Sequence, residues 1–301
     1  MSAPSYDRVK FWVDAGAVSR RELASISDRL NLLLDKDRAY IGNICMMAHN
    51  GSISGCGSLT KFIHGENLHS ITQDETEAVV NALSDAVGVD ISNARVTQLE
   101  YGANFEMSHP IAEYLDLLGS APYTKRMETA QGETLTYQTK SKRGNYSHVF
   151  YDKGAEMGVD GNILRYELRY RREIAKTLKR KGGITLQTLY DSRFCDEMKQ
   201  RYYDFYNSIK KMNDVTINTE TIKTVNDGFE SLVAILLNEA TPNRIEEHIA
   251  DLKRQGVYSD PKYYTRLKSK LNAIAQRTGI TTSTELITEL SNEVHNACFI
   301  E

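Results

Sequence analysis

The stretch that decides the fold is Asn145–Arg172, with the sequence NYSHVFYDKGAEMGVDGNILRYELRYRR. Its pattern predicts two β-strands, Tyr146–Asp152 and Ile163–Arg171, joined by a turn that contains glycine. The second strand alternates strictly, so its aliphatic and tyrosine side chains can pack on a core while the opposite face stays charged,. That charged face carries Arg165, Glu167, Arg169 and Arg171.

The charged strand face is close in sequence to Tyr151 and Lys153, and the combination suits a phosphodiester. Arginine binds phosphate oxygens in pairs, a carboxylate can hold a divalent cation, and a phenol can act as a nucleophile. The alternative interpretation is a solvated strand face whose charges form cross-strand ion pairs, which are common in sheets. The strand pattern alone leaves both interpretations open.

Composition is that of a globular protein of 301 residues with a formal net charge of −3. The total charge does not indicate a nucleic-acid binder, but the segment Lys140–Lys181 is basic and the remainder is acidic,. The four cysteines lack CxxC spacing, which argues against a zinc knuckle and fits reduced thiols,. There is no apolar run near the length of a membrane span and no apolar signal core, so we expect a cytoplasmic protein without a membrane partner.

Two regions of different periodicity divide the chain. Strands and helices are mixed up to Lys181, with Ser19 and Thr72 as predicted helix N-caps, which indicates an α+β domain with an antiparallel sheet over residues 1–182,. After Gly182-Gly183 only helical periods remain,. We therefore predict an all-α domain over residues 183–301 with a DNA-binding or accessory role.

Further strand predictions concern the segments before the charged strand. Val9–Asp14, Ala39–Ala48 and Ser58–His64 are each predicted as strands, and the sequence HNGSISGCG between the last two is predicted as a turn-rich loop,. A β-hairpin with a basic tip at Ser141–Asn145 is predicted between Glu133–Lys140 and the first strand of the deciding stretch,.

Four patches of the sequence occur in an order that is shared with a known family. They are Ser58-Leu59-Thr60-Lys61 with Gly65-Glu66-Asn67 and Asp74, Val96-Thr97-Gln98-Leu99-Glu100, His148-Val149-Phe150-Tyr151-Asp152-Lys153, and Leu164-Arg165-Tyr166-Glu167-Leu168-Arg169. With these patches the chain resembles the replication initiators of filamentous phages, of the gene II and gene X type, and the related plasmid rolling-circle initiators. The likeness extends through the helical region Arg244–Ile280, although Gln98 stands where the family carries an arginine.

The resemblance implies a metal-dependent enzyme that starts rolling-circle replication by nicking one DNA strand at an origin and later rejoining it. Tyr151 would attack the scissile phosphate and become joined to the 5′ end, which releases a 3′-hydroxyl that primes synthesis. A free phenol has a pKa of about 10, so Lys153 or a metal-bound water would assist its deprotonation. The implied partners are single-stranded or hairpin origin DNA and, as a further candidate, a host helicase, in the cytoplasm of a bacterial host cell.

Site residues follow from the same resemblance. Glu100 and Glu167 are the predicted metal ligands, and their hard oxygens favour Mg²⁺ or Mn²⁺. His148 is a candidate third ligand or phosphate contact, although strict alternation would place it on the face opposite Tyr151. The predicted contacts to the DNA backbone are Arg165, Arg169, Lys140, Lys142 and Arg143,.

Two alternative functions stay open on the same fold. The first is a non-catalytic DNA-binding or regulatory protein. This alternative is compatible with Gln98, which stands where the family carries an arginine. The second is a mobilisation relaxase or transposase, which would use the same strand chemistry in another biological context. The sequence also lacks the His-hydrophobic-His signature of many rolling-circle nucleases, which weakens the transfer of a two-histidine metal site.

Overall fold

The computed structural model describes residues 3–13, 19–30, 38–49, 52–129, 133–139, 146–215, 222–240, 243–275 and 281–300. In chain order the strands are β1 (Ser5–Val13), β2 (Arg38–Ile41), β3 (Ile44–His49), β4 (Ser52–Ser58), β5 (Arg95–Glu106), β6 (Thr124–Glu128), β7 (Thr134–Thr139), β8 (Tyr146–Asp152), β9 (Ile163–Tyr170), β10 (Asn213–Val215) and β11 (Thr281–Ser283). The helices are α1 (Arg20–Arg29), α2 (Leu59–His64), α3 (Gln73–Val87), α4 (Ile111–Asp116), α5 (Lys153–Met157), α6 (Ile174–Thr177), α7 (Ser192–Ser208), α8 (Val225–Glu239), α9 (Arg244–Arg254), α10 (Lys262–Ala275) and α11 (Glu285–Phe299), with a 3₁₀ turn at Gln187–Tyr190.

A nine-stranded sheet forms the centre of the structure, in the order β2-β3-β4-β1-β5-β9-β8-β7-β6. Every neighbouring pair in it is antiparallel. Helices follow in the C-terminal part, so the predicted α+β class with an antiparallel sheet is confirmed. Among the helices described, none has both the length and the apolar character needed to cross a bilayer.

One face of the sheet is covered by helices. Residues such as Phe11, Leu99 and Leu168 point to this face and form one buried cluster with side chains of α1, α3, α7 and α11. The other face, which we call the polar face, carries Lys10 of β1, Glu100 of β5, Glu167 of β9 and Tyr151 of β8. The strand register aligns these side chains, because Lys10 pairs with Gln98, Glu100 with Arg169, and Tyr151 with Arg165,.

The prediction for HNGSISGCG and Ser58–His64 was wrong, because the glycine-rich segment is strand β4 and the apolar segment is helix α2. Glycine is required in β4 for packing: a Cβ at Gly55 would lie 2.2 Å from the ring of Phe11. Helix α2 then starts because the Ser58 hydroxyl accepts a hydrogen bond from the backbone N–H of Lys61,. Gly65, with φ 78°, ends it in the left-handed conformation,.

Other local predictions were partly correct. The strand predicted at Ala39–Ala48 is the hairpin β2–β3, which turns at Gly42 with φ 58°. Strand β6 was not predicted, and the helical C-terminal part contains the short ladder β10–β11. Ser19 and Thr72 cap α1 and α3 as predicted, each in a capping box.

The predicted domain boundary at residue 182 stays a prediction. Helices α7 and α11 follow it in sequence and yet pack in the same core as the sheet, through side chains such as Tyr202 and Leu290. Helices α8, α9 and α10 form two smaller clusters of their own, around Ala234 and around Ile249. The packing therefore joins part of the predicted helical domain to the sheet.

Candidate active site

Three neighbouring strands bring Glu100, Tyr151 and Glu167 together on the polar face. Strand β9 lies between β5 and β8, and its alternate residues Arg165, Glu167 and Arg169 face the same side. Gly102 of β5 pairs with Glu167, and a Cβ there would lie 2.4 Å from the Tyr166 carbonyl oxygen. The glycine thus lets the two strands approach closely beside the carboxylate.

Glu167 is the centre of the site. Its Oε1 accepts a hydrogen bond from the Tyr151 hydroxyl at 3.1 Å and another from Nε of Arg165, and its Oε2 accepts one from Nε of Arg169 at 2.6 Å. Burial alone would raise the pKa of this carboxyl, but the charges and hydrogen bonds of the two arginines hold the pKa below its usual value,. Glu167 is therefore ionised, and both its oxygens are occupied by guanidinium groups.

Arg165 connects Glu167 to the rest of the fold. Its Nη2 donates to Oδ2 of Asp7 at 2.8 Å, and its Nη1 donates to the Asn67 carbonyl oxygen at 3.1 Å and to Oδ1 of Asn104 at 3.0 Å. The side chain is 4% exposed. Arg165 was predicted to contact the DNA backbone, and its placement contradicts this, because the guanidinium is buried and engaged by the protein itself.

Asp7 is a site residue that the sequence did not indicate. A register shift in β1 between Tyr6 and Val9 lets this buried side chain reach the network of the polar face,. Its Oδ1 accepts from the Ser58 hydroxyl and its Oδ2 accepts from the Asn67 amide at 2.9 Å as well as from Arg165. The predicted opening strand started at Val9, so Asp7 fell outside it.

Tyr151 is half-buried, and its ring lies in a cleft of about 460 Å³ that it shares with Thr134, Asp152, Glu156 and Arg169. The Arg169 guanidinium carbon is 5.8 Å from the centre of the ring. Burial and then the charge of Glu167 raise the pKa of the Tyr151 phenol, against the opposing effect of the arginines,. The site thus holds a protonated phenol in an open cleft.

Glu100 lies on the same face as Glu167, as the prediction for a pair of acidic residues required. Burial, followed by the negative charges of Glu167 and Asp7, raises the pKa of this carboxyl, and the charges of Arg169 and Arg8 lower it in part,. It makes no hydrogen bond to the residues that the structure describes. Glu100 is thus the less neutralised of the two predicted ligands.

His148 lies on the opposite side of the sheet. It pairs with Leu168 across the β8–β9 ladder, stacks on Phe205 with ring centres 3.4 Å apart, and shares a 2.8 Å hydrogen bond between Nδ1 and the Tyr166 hydroxyl. Burial holds the pKa of the imidazole well below its usual value. The placement contradicts the prediction of His148 as a third metal ligand, because strict alternation turns it into the core, away from Glu100 and Glu167.

Lys153 is the first residue of α5 and its side chain is 2% exposed. Its Nζ donates to Oε2 of Glu156 at 2.7 Å, on the rim of the Tyr151 cleft. The predicted role beside the phenol stays a prediction. The predicted DNA contacts at the hairpin tip, Lys140, Lys142 and Arg143, lie outside the described residues.

The predicted divalent cation fits this donor set only at Glu100. Within the described ranges, no group of three or more His, Cys, Asp or Glu side chains is placed to hold a metal ion. Glu167 has both oxygens occupied by Arg165 and Arg169, and Asp7 has both oxygens occupied by its own donors. Of these three carboxylates, Glu100 is the one whose hard oxygen atoms are not occupied by a hydrogen bond within the described part of the chain,.

Comparison with known proteins gives one family match. Residues 46–193 match the model of the phage CRI family, which describes the N-terminal part of a replication-associated protein. This segment contains Glu100, Tyr151, Arg165, Glu167 and Arg169, and the match confirms the resemblance inferred from the sequence.

A solved structure also matches, that of a rolling circle replication initiator protein from Geobacillus stearothermophilus. It is 14% identical, and the match covers 75% of this chain and 90% of that chain with a TM-score of 0.39. A search of curated proteins finds no match.

Proposed function

Because residues 46–193 belong to the phage CRI family of replication-associated proteins, we propose that the chain is a rolling-circle replication initiator that nicks and rejoins one strand of origin DNA. One observation supports the chemistry above others: the Tyr151 phenol is hydrogen-bonded to Glu167 at 3.1 Å, at an open cleft rimmed by Arg169. A nucleophile, an orienting carboxylate and a cation for the phosphate thus meet at one point of the polar face.

Arg169 is the phosphate contact of this proposal. Its side chain is 25% exposed, whereas that of Arg165 is 4% exposed, so Arg169 is the one of the two that a DNA phosphate can reach. Its guanidinium already donates to Glu167 and lies beside the Tyr151 ring. A phosphate bound there would be held next to the phenol oxygen, which is the proximity that the reaction needs.

Glu167 orients the phenol and does not accept its proton. Ordinary pKa values of about 10 for tyrosine and about 4.3 for glutamate make this transfer unfavourable by ~8 kcal/mol, at about 1.36 kcal/mol for each pKa unit. In this site the pKa of Tyr151 is raised and that of Glu167 is lowered, so the cost is larger still. The phenol proton therefore passes to an acceptor other than Glu167.

The proposed reaction is a transesterification. The Tyr151 oxygen forms a bond to phosphorus, the bond from phosphorus to the 3′-oxygen breaks, and that oxygen takes up a proton and leaves as a 3′-hydroxyl. The phosphodiester is conserved as a 5′-phosphotyrosine link, so attack by a 3′-hydroxyl on that link rejoins the strand. Arg169 faces the phosphate charge in both directions.

A divalent cation is part of the proposal, with Mg²⁺ or Mn²⁺ held from this chain by Glu100. When bound, such an ion supplies positive charge to the phosphate and to the leaving oxygen. The raised pKa of Glu100 reflects burial and an excess of negative charge from Glu167 and Asp7, which a cation would neutralise. Glu167 would serve as a ligand only after an arginine had moved away from one of its oxygens.

A second candidate function is a DNA-binding or regulatory protein without nicking activity. It is favoured by the same contacts that occupy Glu167, since a carboxylate held by two arginines needs no metal. Such a protein would bind the same DNA and form no covalent product. A mobilisation relaxase or transposase would form the same covalent product and differ in its DNA site.

The test is recovery of a covalent protein–DNA adduct. The protein is incubated with labelled single-stranded and hairpin oligonucleotides that tile the non-coding DNA of its own replicon, with Mg²⁺ or Mn²⁺ added or withheld, and resolved on a denaturing gel. We expect an adduct that Tyr151→Phe abolishes and that Tyr146→Phe, a matched change on the same strand, retains. An adduct of full yield from Tyr151→Phe would reject the nucleophile, and the absence of any adduct with bound DNA would favour the second candidate.

A further inference from the structure

A second cleft on the polar face is strongly basic. It has a volume of about 510 Å³ and lies where β1, β5 and the segment after β9 meet. Its lining includes one carboxylate, Glu173, and five cationic side chains: Lys10, Arg95, Arg171, Arg172 and Lys176. Lys176 is paired with Glu173 at 3.2 Å, and the surplus of positive charge that we consider comes from Lys10, Arg171 and Arg172.

Three of these cations lack a neutralising partner among the residues described. Lys10, Arg171 and Arg172 make no hydrogen bond or ion pair within the part of the chain that the structure describes. Arg171 and Arg172 are exposed and Lys10 is half-buried. Clustered cations repel one another, and an anionic ligand that bridges them relieves this repulsion.

The walls of the cleft are fixed by the core. Ile174 and Ile184 line it and are 2% and 0% exposed, so the segments that carry the cations are anchored from below. The backbone N–H of Val96 donates to the Ile184 carbonyl at 2.8 Å, which adds the segment after Gly183 to the edge of β5. Glu173, with φ 48°, turns the chain sharply after β9. The cleft is therefore present before any ligand binds.

The cleft continues the candidate active site along β9. Arg169 of β9 rims the Tyr151 cleft, and Arg171, the first residue after β9, lines the basic cleft. Arg171 lies two residues beyond Arg169, which faces the scissile phosphate in the proposed function, and this is ~7 Å at about 3.3 Å per strand residue,. At about 3.4 Å per stacked nucleotide this is the length of about two nucleotides.

We propose that this basic cleft binds the backbone phosphates of the substrate DNA strand from about two nucleotides beyond the bond that Tyr151 attacks. The inference rests on the proposed function, which supplies the single strand that crosses the polar face. The cations of the cleft match a row of phosphates in charge, and Arg169 faces the phosphate at the nick itself. The contacts are to the backbone, so they add affinity for any sequence.

The first experiment measures the salt dependence of DNA binding by fluorescence anisotropy. The probe is a labelled single strand of about 20 nucleotides, which is longer than the path of about two nucleotides between the two clefts. The variant Lys10→Ala/Arg171→Ala/Arg172→Ala removes three cations of the cleft. The matched control, Arg20→Ala/Arg21→Ala/Arg193→Ala, removes three exposed cations from α1 and α7, which cover the other face of the sheet.

We expect the cleft variant to bind more weakly, with a slope of log affinity against log salt smaller by about two, since each phosphate contact to a single strand contributes about 0.7. Raising the salt from about 50 to about 200 mM would then reduce the ratio of wild-type affinity to variant affinity by a factor of about 16. The control variant should keep the wild-type slope. Equal slopes for all three proteins, or an equal loss in the control, would overturn the inference.

A second measurement needs no variant. Acetylation of lysines is followed by mass spectrometry with and without the single strand, and we expect DNA to protect Lys10 and leave the exposed Lys125 of β6 reactive. Unchanged reactivity of Lys10 would overturn the inference, and protection by duplex DNA of equal strength would overturn the assignment to a single strand. A Tyr151-dependent adduct without these effects would reject the cleft alone, whereas cleft binding without an adduct would reject the nicking activity alone.

Discussion

The phenol of Tyr151 donates a hydrogen bond to Glu167 across the β8–β9 ladder, with 3.1 Å between the two oxygens. The same carboxylate is held by Arg165 and Arg169, and Arg165 continues to Asp7 on β1. Four charged residues of alternating sign thus extend from the middle of the sheet to the candidate nucleophile. This arrangement both orients the phenol and balances buried charge, and the two roles can be separated by mutation.

Glu167→Gln should destabilise the fold strongly. The amide keeps an oxygen for the Tyr151 hydroxyl but removes the charge that balances the buried Arg165, and loss of one partner of a buried ion pair costs about 3–5 kcal/mol,. Urea denaturation followed by circular dichroism measures the loss. Glu100→Gln is the matched control and should stay within about 0.5 kcal/mol of the wild type or exceed it, since that carboxyl makes no described hydrogen bond,. Equal losses in both variants would contradict this assignment.

The two arginines should respond differently to replacement by lysine. Arg165→Lys cannot reproduce the four hydrogen bonds that Arg165 makes to Glu167, Asp7, Asn67 and Asn104, so we expect a loss of about 3 kcal/mol of unfolding free energy,. Arg169→Lys should cost less than about 1 kcal/mol, since this side chain is partly exposed,.

Binding of single-stranded DNA should give the opposite order for these two variants. Arg169→Lys loses the paired contact to phosphate and should weaken binding, whereas Arg165→Lys, measured where it is still folded, should bind like the wild type. Anisotropy titrations at one salt concentration compare them. Strong loss of binding in Arg165→Lys with full retention of structure would restore Arg165 as a DNA contact.

The pH dependence of stability should carry opposite contributions from the two carboxyls. The folded pKa of Glu167 lies below its unfolded value of about 4.3, so its contribution is fully present above that value and is lost as the pH falls through the folded pKa,. The folded pKa of Glu100 lies above the unfolded value, so in the interval between them the folded state binds more protons and stability rises as the pH falls,.

The Glu100→Gln variant isolates the second contribution. Its stability relative to the wild type should be highest at neutral pH, where the ionised Glu100 destabilises the wild type, and should decline as the pH falls toward the unfolded pKa of about 4.3. Urea denaturation of both proteins at a series of pH values from about 8 to about 4 gives the difference. A difference that does not change with pH would contradict the raised pKa.

Gly55→Ala tests the assignment of the glycine-rich segment to strand β4. The added methyl group would lie 2.2 Å from the Phe11 ring, inside the core, and overpacking of this kind costs about 1–3 kcal/mol,. Gly182→Ala is the control, because a Cβ there meets no atom within 4 Å. Thermal denaturation compares the two. A Gly55→Ala variant as stable as the wild type would be inconsistent with packing of β4 on Phe11.

The strands β8 and β9 and the shared face of Glu100 and Glu167 were accessible to sequence analysis, because alternation with period two and the family resemblance both act on short segments. Strand β4 was not accessible, since its Gly and Ser residues are typical of turns and only contact with Phe11 explains them,. Asp7 was missed for a related reason. Its partner Arg165 is 158 residues away in the sequence, and a local sequence pattern cannot predict such a pair. For His148 the alternation of the strand predicted the observed side of the sheet, opposite Tyr151. The metal-ligand role that the resemblance implied was already in conflict with that pattern.

The central position of β1 in the sheet determines which fragment of this chain could fold on its own. The family match begins at residue 46, yet residues 5–13 form the strand between β4 and β5. A fragment limited to residues 46–193 would split the sheet into two pieces with unpaired backbone edges and would leave Arg165 without Asp7. Unpaired strand edges of this kind associate with other chains. We therefore expect a fragment with the bounds of the family match to aggregate when it is expressed.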